Sequence, residues 1–338
     1  MAYADKTLRF VVAPTSALAG VASGMSAGTW AQMTPVPSNM NSTILVGSVT
    51  GNMIPYCNSA TWNPFSKRVH ILGEDHNWGT MREVVYDVAS NSFSFVGDFA
   101  PGIGHGYDHY EVNPFNGDLY YKAYHYGTGG QLWRKPYGGS WNSSFQTIPA
   151  FQQVALGCCW WSGTLTGGGT QGAFLIYNQQ DGNVLGYNPV GNTWFTQAAA
   201  PAGQYHGVMA YSPTKNVAVF GGGNGMERRI WKMTSTRTVT ELTSTPTGCQ
   251  IGIYAGGLVC DPVTGDFLVL SGGYIWLLNP DGSGTWTQQT GSRIPPAAVN
   301  DPLANENMMI LPFPEHGVIG VLSANGSSST NLYLYKHA

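Results

Sequence analysis

The chain has 338 residues, only 10% of them charged, and a net charge of −3 at pH 7. Average globular proteins carry about 25% charged residues, so this surface is built mainly from Ser, Thr, Asn, Gln and Gly. There is no Lys/Arg run and no basic field, which excludes a nucleic-acid partner. Such a surface suits an extracellular or virion-associated protein better than a crowded cytosol.

Residues 1–25 form an Ala/Gly/Ser-rich arm ahead of a single domain, 26–338. Lys6 and Arg9 precede Phe10-Val11-Val12-Ala13-Pro14, an apolar stretch too short and too broken for a convincing signal peptide. No segment is long enough to span a membrane, so membrane insertion is not expected. The arm is suited to tethering the domain to an assembly.

Next comes Gly28-Thr29-Trp30-Ala31-Gln32, which is echoed by Asn192-Thr193-Trp194-Phe195-Thr196-Gln197 and by Gly284-Thr285-Trp286-Thr287-Gln288. In the two later copies the Gly/Asn-x-Trp segment closes a repeat of strand, turn and strand. The first copy has no repeat before it, as expected of a closing strand in a circular array sealed by the two ends of the chain.

The repeats are set by a turn proline. Pro64, Pro114, Pro213 and Pro262 each follow a short strand and precede an apolar run such as Val69-His70-Ile71-Leu72 or Phe267-Leu268-Val269-Leu270. Proline after Asn, Asp or Ser is turn chemistry, and the β-branched and aromatic runs read as buried strands. Successive prolines are 50 (64 to 114), 49 (213 to 262) and 50 (262 to 312) residues apart. The 99 residues from 114 to 213 hold two units, with a proline-free turn near 164. Six units of this period predict an all-β, six-bladed β-propeller of four-stranded blades, its last blade completed by the strand around Trp30.

Gly272-Gly273 with Trp276 and Trp286, and Gly222-Gly223 with Trp231, resemble the kelch family, a branch of the galactose-oxidase-like propellers. The resemblance covers most of the chain as architecture but only two blades as motif, and kelch repeats specify a fold without an activity of their own. It also raises a copper–tyrosyl radical site. The chain lacks a paired His-His ligand motif, however, so no metal or other cofactor is expected. The five cysteines match no zinc spacing or disulfide framework and read as small packing residues. Alternation sends the vicinal thiols of Cys158 and Cys159 to opposite sheet faces.

In a propeller the loops entering each innermost strand and leaving each second strand share one face. That topology gathers Tyr56, Asp75, His76, Trp78, Tyr107, His125, Arg228 and Tyr254 as candidate ligand-binding residues, with Asp108 and Glu111 as an acidic pair. Aromatic rings stack on the C–H faces of sugars while polar groups read hydroxyls, so a glycan is the expected ligand. The same tyrosines are equally compatible with lining the channel, and the histidines with a buried role satisfied by backbone. The leading expectation is a non-enzymatic structural and recognition protein, such as a phage tail or capsid component, with virion or cell-surface assembly partners. The alternative is a polysaccharide lyase or glycoside hydrolase using His105, His109, Tyr205 and His206.

Overall fold

The computed structural model describes residues 16–46, 53–54, 57, 60–73, 81–99, 106–107, 109–123, 130–149, 156–178, 181–201, 205–252, 257–296, 308–325 and 328–337. Within them, β1 (Thr29–Gln32) stands first in the chain and last in the ring. Blade 1 comprises β2 (Thr61–Asn63), β3 (Arg68–Gly73), β4 (Met81–Asp87) and β5 (Ser92–Phe99). Blade 2 has β6 (Tyr110–Val112), β7 (Leu119–Ala123), β8 (Gln131–Lys135) and β9 (Asn142–Thr147). Blade 3 has β10 (Gly157–Trp161), β11 (Ala173–Asn178), β12 (Asn183–Asn188) and β13 (Thr193–Ala198). Blade 4 has β14 (Val208–Ser212), β15 (Val217–Gly221), β16 (Ile230–Thr234) and β17 (Val239–Glu241). Blade 5 has β18 (Gly257–Cys260), β19 (Phe267–Ser271), β20 (Tyr274–Asn279) and β21 (Thr285–Gln288). Blade 6 has β22 (Met308–Phe313), β23 (Val318–Asn325) and β24 (Ser329–Lys336), completed by β1.

This is the six-bladed propeller that the proline period predicts. Its ring closes through β1 against β24, with Thr29 opposite Lys336, Trp30 opposite Tyr335 and Gln32 opposite Tyr333. Trp194 and Trp286 lie on the outermost strands of blades 3 and 5, as the echo requires.

One register mark shifts. Pro312 lies inside β22, paired with Ile319, and the turn of blade 6 is Pro314-Glu315-His316 instead. An innermost strand has a free edge toward the channel, so a proline within it costs no ladder bond on that side.

Strand alternation splits each blade's side chains between two neighbours, and the core accordingly falls into six apolar clusters, one per seam. Val69, Ile71 and Phe93 of blade 1 meet Leu311, Phe313 and Leu322 of blade 6. Cys158 goes to the seam between blades 2 and 3, and Cys159 to that between blades 3 and 4, on opposite faces as expected. None of the five cysteines forms a disulfide; four are buried and Cys260 is partly exposed.

Among the described residues, two short α-helices interrupt the all-β pattern. α1 (Ala17–Gly24) lies in the segment read as an arm. Its Leu18 and Ala22 join the seam between blades 6 and 1, and Ser16 Oγ caps it by accepting from Ala19 N–H. α2 (Met40–Ile44) packs on the same seam. Among the described residues, no helix is long and apolar enough to cross a membrane.

Candidate functional site

All six innermost strands run in one direction along the channel, from the loop face to the turn face. The loop face brings together four of the predicted residues. His109 precedes β6, and His206 precedes β14. The Tyr107 ring lies 5.4 Å from that of His109 and 5.9 Å from that of His206, bridging blades 2 and 4, while Tyr205 lies 6.0 Å from His206. The chain of rings continues to Tyr121, 6.4 Å from His109.

Local sequence explains these placements. Gly106 permits close approach to blade 1, because a Cβ there would collide with Cys57 Sγ and the Leu72 carbonyl. That contact fixes the start of the Tyr107 turn. In blade 4 the diglycine turns β15 sharply: Gly222 has φ +69, and a Cβ on it would strike the Ile251 carbonyl. The turn delivers Asn224, whose N–H donates to the Tyr205 carbonyl at 2.8 Å and whose Oδ1 accepts from His206 Nδ1 at 2.9 Å.

The members of this chain are not equivalent. Tyr107 is 1% exposed and His109 is fully buried. His109 Nε2 accepts the Leu156 N–H at 3.1 Å, which fixes a neutral imidazole across the seam of blades 2 and 3. Tyr205, by contrast, is 45% exposed, and His206 is half-buried beside it. Tyr107 and His206 both adopt positive φ, 34° and 75°. A bulky side chain pays for that conformation, and such strain concentrates at functional sites.

Arg228 is tied elsewhere, donating from Nε (3.0 Å) and Nη2 (2.5 Å) to the Thr245 carbonyl. Glu111 was expected on the loop face with Asp108, which lies outside the described residues. Glu111 lies within β6, where Oε2 accepts from Thr61 Oγ1 of blade 1 at 2.6 Å. Tyr56, Asp75, His76, Trp78, His105, Asp108, His125 and Tyr254 lie outside the described residues. Among the described residues, no three His, Cys, Asp or Glu side chains gather to hold a metal ion.

Sequence reasoning missed two features. Lys122, on β7, is fully buried at the seam of blades 2 and 3. Burial pulls its ammonium pKa down to about 7, with Cys158 acting weakly in the opposite sense. A lysine within Leu119-Tyr120-Tyr121-Lys122-Ala123 was the available signal. The second feature is a cavity of about 420 Å³ at the turn end of the channel, ringed by Pro64, Pro114, Pro213, Pro262, Pro312 and Pro314.

No protein-family model matches the sequence, and a search of curated proteins gives no match. Solved structures share the fold. An auxiliary nutrient binding protein from Bacteroides ovatus is similar at 12% identity and a TM-score of 0.57, over 83% of this chain and 69% of its own. A protein of unknown function from Bacteroides thetaiotaomicron is similar at 11% identity and a TM-score of 0.55, over 91% and 75%. A catalytically inactive variant of virginiamycin B lyase from Staphylococcus aureus, with quinupristin, is similar at 13% identity and a TM-score of 0.51, over 85% and 86%. At these identities the likeness is one of fold.

Proposed function

We propose that the protein is a non-enzymatic recognition propeller of an extracellular or virion surface, of the kelch type, that engages glycans on its loop face. The observation that carries this reading is Tyr205, an exposed ring on a fixed mount. Its carbonyl accepts from the Asn224 backbone N–H, and its neighbour His206 is bonded to the side chain of that same residue. Tyr107 and His109, the other members of the chain of rings, are buried and spend themselves on positioning. A pre-oriented aromatic face beside half-buried polar groups suits a sugar ring, because little side-chain entropy is lost on stacking. The sparsely charged surface supports a role outside the cytosol.

A glycan array with the wild type, Tyr205→Ala and His206→Ala tests the reading. Binding that falls at least tenfold in both variants supports it, and unchanged binding removes the site. Portal, tail and capsid genes beside this one would support the virion role.

His206 gives specific support to a second reading, polysaccharide lyase chemistry. With Nδ1 donating to Asn224, the ring is held as in a general base, next to a tyrosine able to act as acid. Unsaturated products released from acidic polysaccharides, and lost with His206→Ala, would select it over recognition alone.

A further inference from the structure

The two ends of the channel differ in what they offer a ligand. At the turn end lies the cavity of about 420 Å³, and its described lining holds no Lys, Arg or His. An apolar cavity of about 150 Å³ takes one benzene ring, so this one has room for more than one. We propose that it is a second binding site, separate from the Tyr205 face, for a neutral small molecule with an apolar body of about two or three rings.

The rim follows from the sequence. Pro64, Pro114, Pro213, Pro262, Pro312 and Pro314 stand at the turn ends of innermost strands or just beyond them, so the residue that sets the blade period also repeats around the mouth. Proline has no backbone N–H. These positions therefore bring C–H surface to the mouth and no main-chain donor.

Behind the rim, Ala60, Val112, Met209, Leu258 and Ile310 supply apolar wall from five of the blades. The polar side chains among them are already engaged. Trp62 Nε1 donates to Glu315 Oε1 at 3.3 Å, and Trp160 Nε1 donates to the Gln171 carbonyl at 3.0 Å. The Tyr211 hydroxyl donates to Asn216 Oδ1 at 2.9 Å and accepts from Gly163 N–H at 3.0 Å. Thr61 Oγ1 donates to Glu111 Oε2 at 2.6 Å and accepts the Val112 N–H at 3.1 Å. Glu315 pairs with Lys67 Nζ at 2.7 Å, and Cys260 Sγ donates to the Asp261 carbonyl at 3.3 Å.

A water needs two to four polar partners to be held well, and these walls supply few. Replacing loosely held water by an apolar body is favourable. A charged head group or a sugar would instead give up hydration at groups that already have partners. Trp62, Trp160 and Tyr211 add ring surface to the lining, which suits a rigid cyclic ligand that loses little freedom on binding.

The test is calorimetric titration of the intact protein with three naphthalenes of one shape: 2-naphthylmethanol, protonated 2-naphthylmethylamine and 2-naphthoate. Maltose serves as the polar competitor, and N-acetylphenylalaninamide stands for a side chain inserted by a partner protein. The alcohol should bind at least tenfold more tightly than either ion, with the negative heat-capacity change of buried apolar surface. Ala210→Phe, which adds a ring to the blade 4 wall, should weaken it at least tenfold. Should that variant fail to fold, Val259→Phe fills the cavity from blade 5. Failure of the alcohol to bind, a preference for either ion, competition by maltose, or binding that survives a folded filling variant would each overturn the proposal. Tighter binding of the capped phenylalanine would reassign the cavity to a partner's side chain and overturn it too. Tyr205→Ala should leave the titration unchanged; an altered titration would move the binding to the loop face, so this site and the glycan face fail or stand separately.

Discussion

Lys135 of blade 2 reaches back to Glu83 of blade 1 and donates to both its carboxylate oxygens, at 2.8 and 2.7 Å. Glu83 is 1% exposed, and it also bonds His70 Nδ1 at 3.1 Å and the Trp141 indole N–H at 3.0 Å. A scarce charge is thus spent as a bolt between blades. Removing one partner of a buried pair leaves the other uncompensated, so Glu83→Gln should cost about 3 kcal/mol in urea unfolding. A loss below about 1 kcal/mol would show that the pair merely replaces packing.

The same carboxyl makes acid stability testable. Burial alone would raise its pKa, but the His70 hydrogen bond and the Lys135 charge together hold it below the usual range. A depressed folded-state value gives stability that is present above the unfolded value, about 4.3, and lost as pH falls through the folded one. Unfolding curves from pH 6 down to pH 3 should therefore show the gap between wild type and Glu83→Gln closing. A gap constant across that range would contradict the assignment.

Lys122 should act in the opposite pH range. Its folded-state value of about 7 lies below the unfolded value of about 10.4, so between them only the unfolded chain holds the proton. Stability then rises with pH through that window, by at most about 1.4 kcal/mol per unit from this group. Relative to Lys122→Met, the wild type should gain in Tm between pH 7 and pH 9.5. Parallel curves would place the charge on solvent.

At His206 the backbone can be separated from the side chain. His206→Gly and His206→Ala both lose the bond to Asn224, but only alanine retains the cost of φ 75°. The left-handed region costs an L-residue about 1–2 kcal/mol. The glycine variant should be the more stable by about that amount in urea, although neither should bind glycan. Equal midpoints would show that the turn relaxes once the imidazole is gone.

At the ring seam, Trp30 packs on Tyr335 with centroids 4.9 Å apart and donates to the Arg293 carbonyl at 3.1 Å. Trp30→Ala should cost about 2–3 kcal/mol, less than a fully buried tryptophan. Deleting residues 26–34 should lower the melting temperature of the whole domain much further in calorimetry.

The architecture was legible because it repeats. A proline about every 50 residues and three Gly/Asn-x-Trp echoes carry the same statement several times over, so the shift from Pro312 to Pro314 left the blade count intact. The site was legible only as a face. That Tyr205 would be exposed while Tyr107 is buried depends on which blade each ring leans against, and no spacing encodes that. Glu111 was misplaced for a related reason: position along β6 sets which end of the channel a side chain serves, and a strand of three residues leaves little margin. Lys122 and Glu83 are long-range partners of other blades, visible in sequence only as charges inside apolar runs.

The closure through β1 also orders events in time. Of the strands described, β1 is synthesised first, yet its ladder partner β24 is synthesised last. Until β24 emerges, blade 6 has no outer strand and β1 has no sheet, so the most distant pairing in the molecule is also its final one. Contacts of such sequence separation are slow to form, and they leave strand edges open while the chain waits. A sparsely charged protein has few gatekeeping charges to guard those edges. The interval between the first strand and the last is therefore when this chain is most exposed to aggregation or to exchanging strands with another copy.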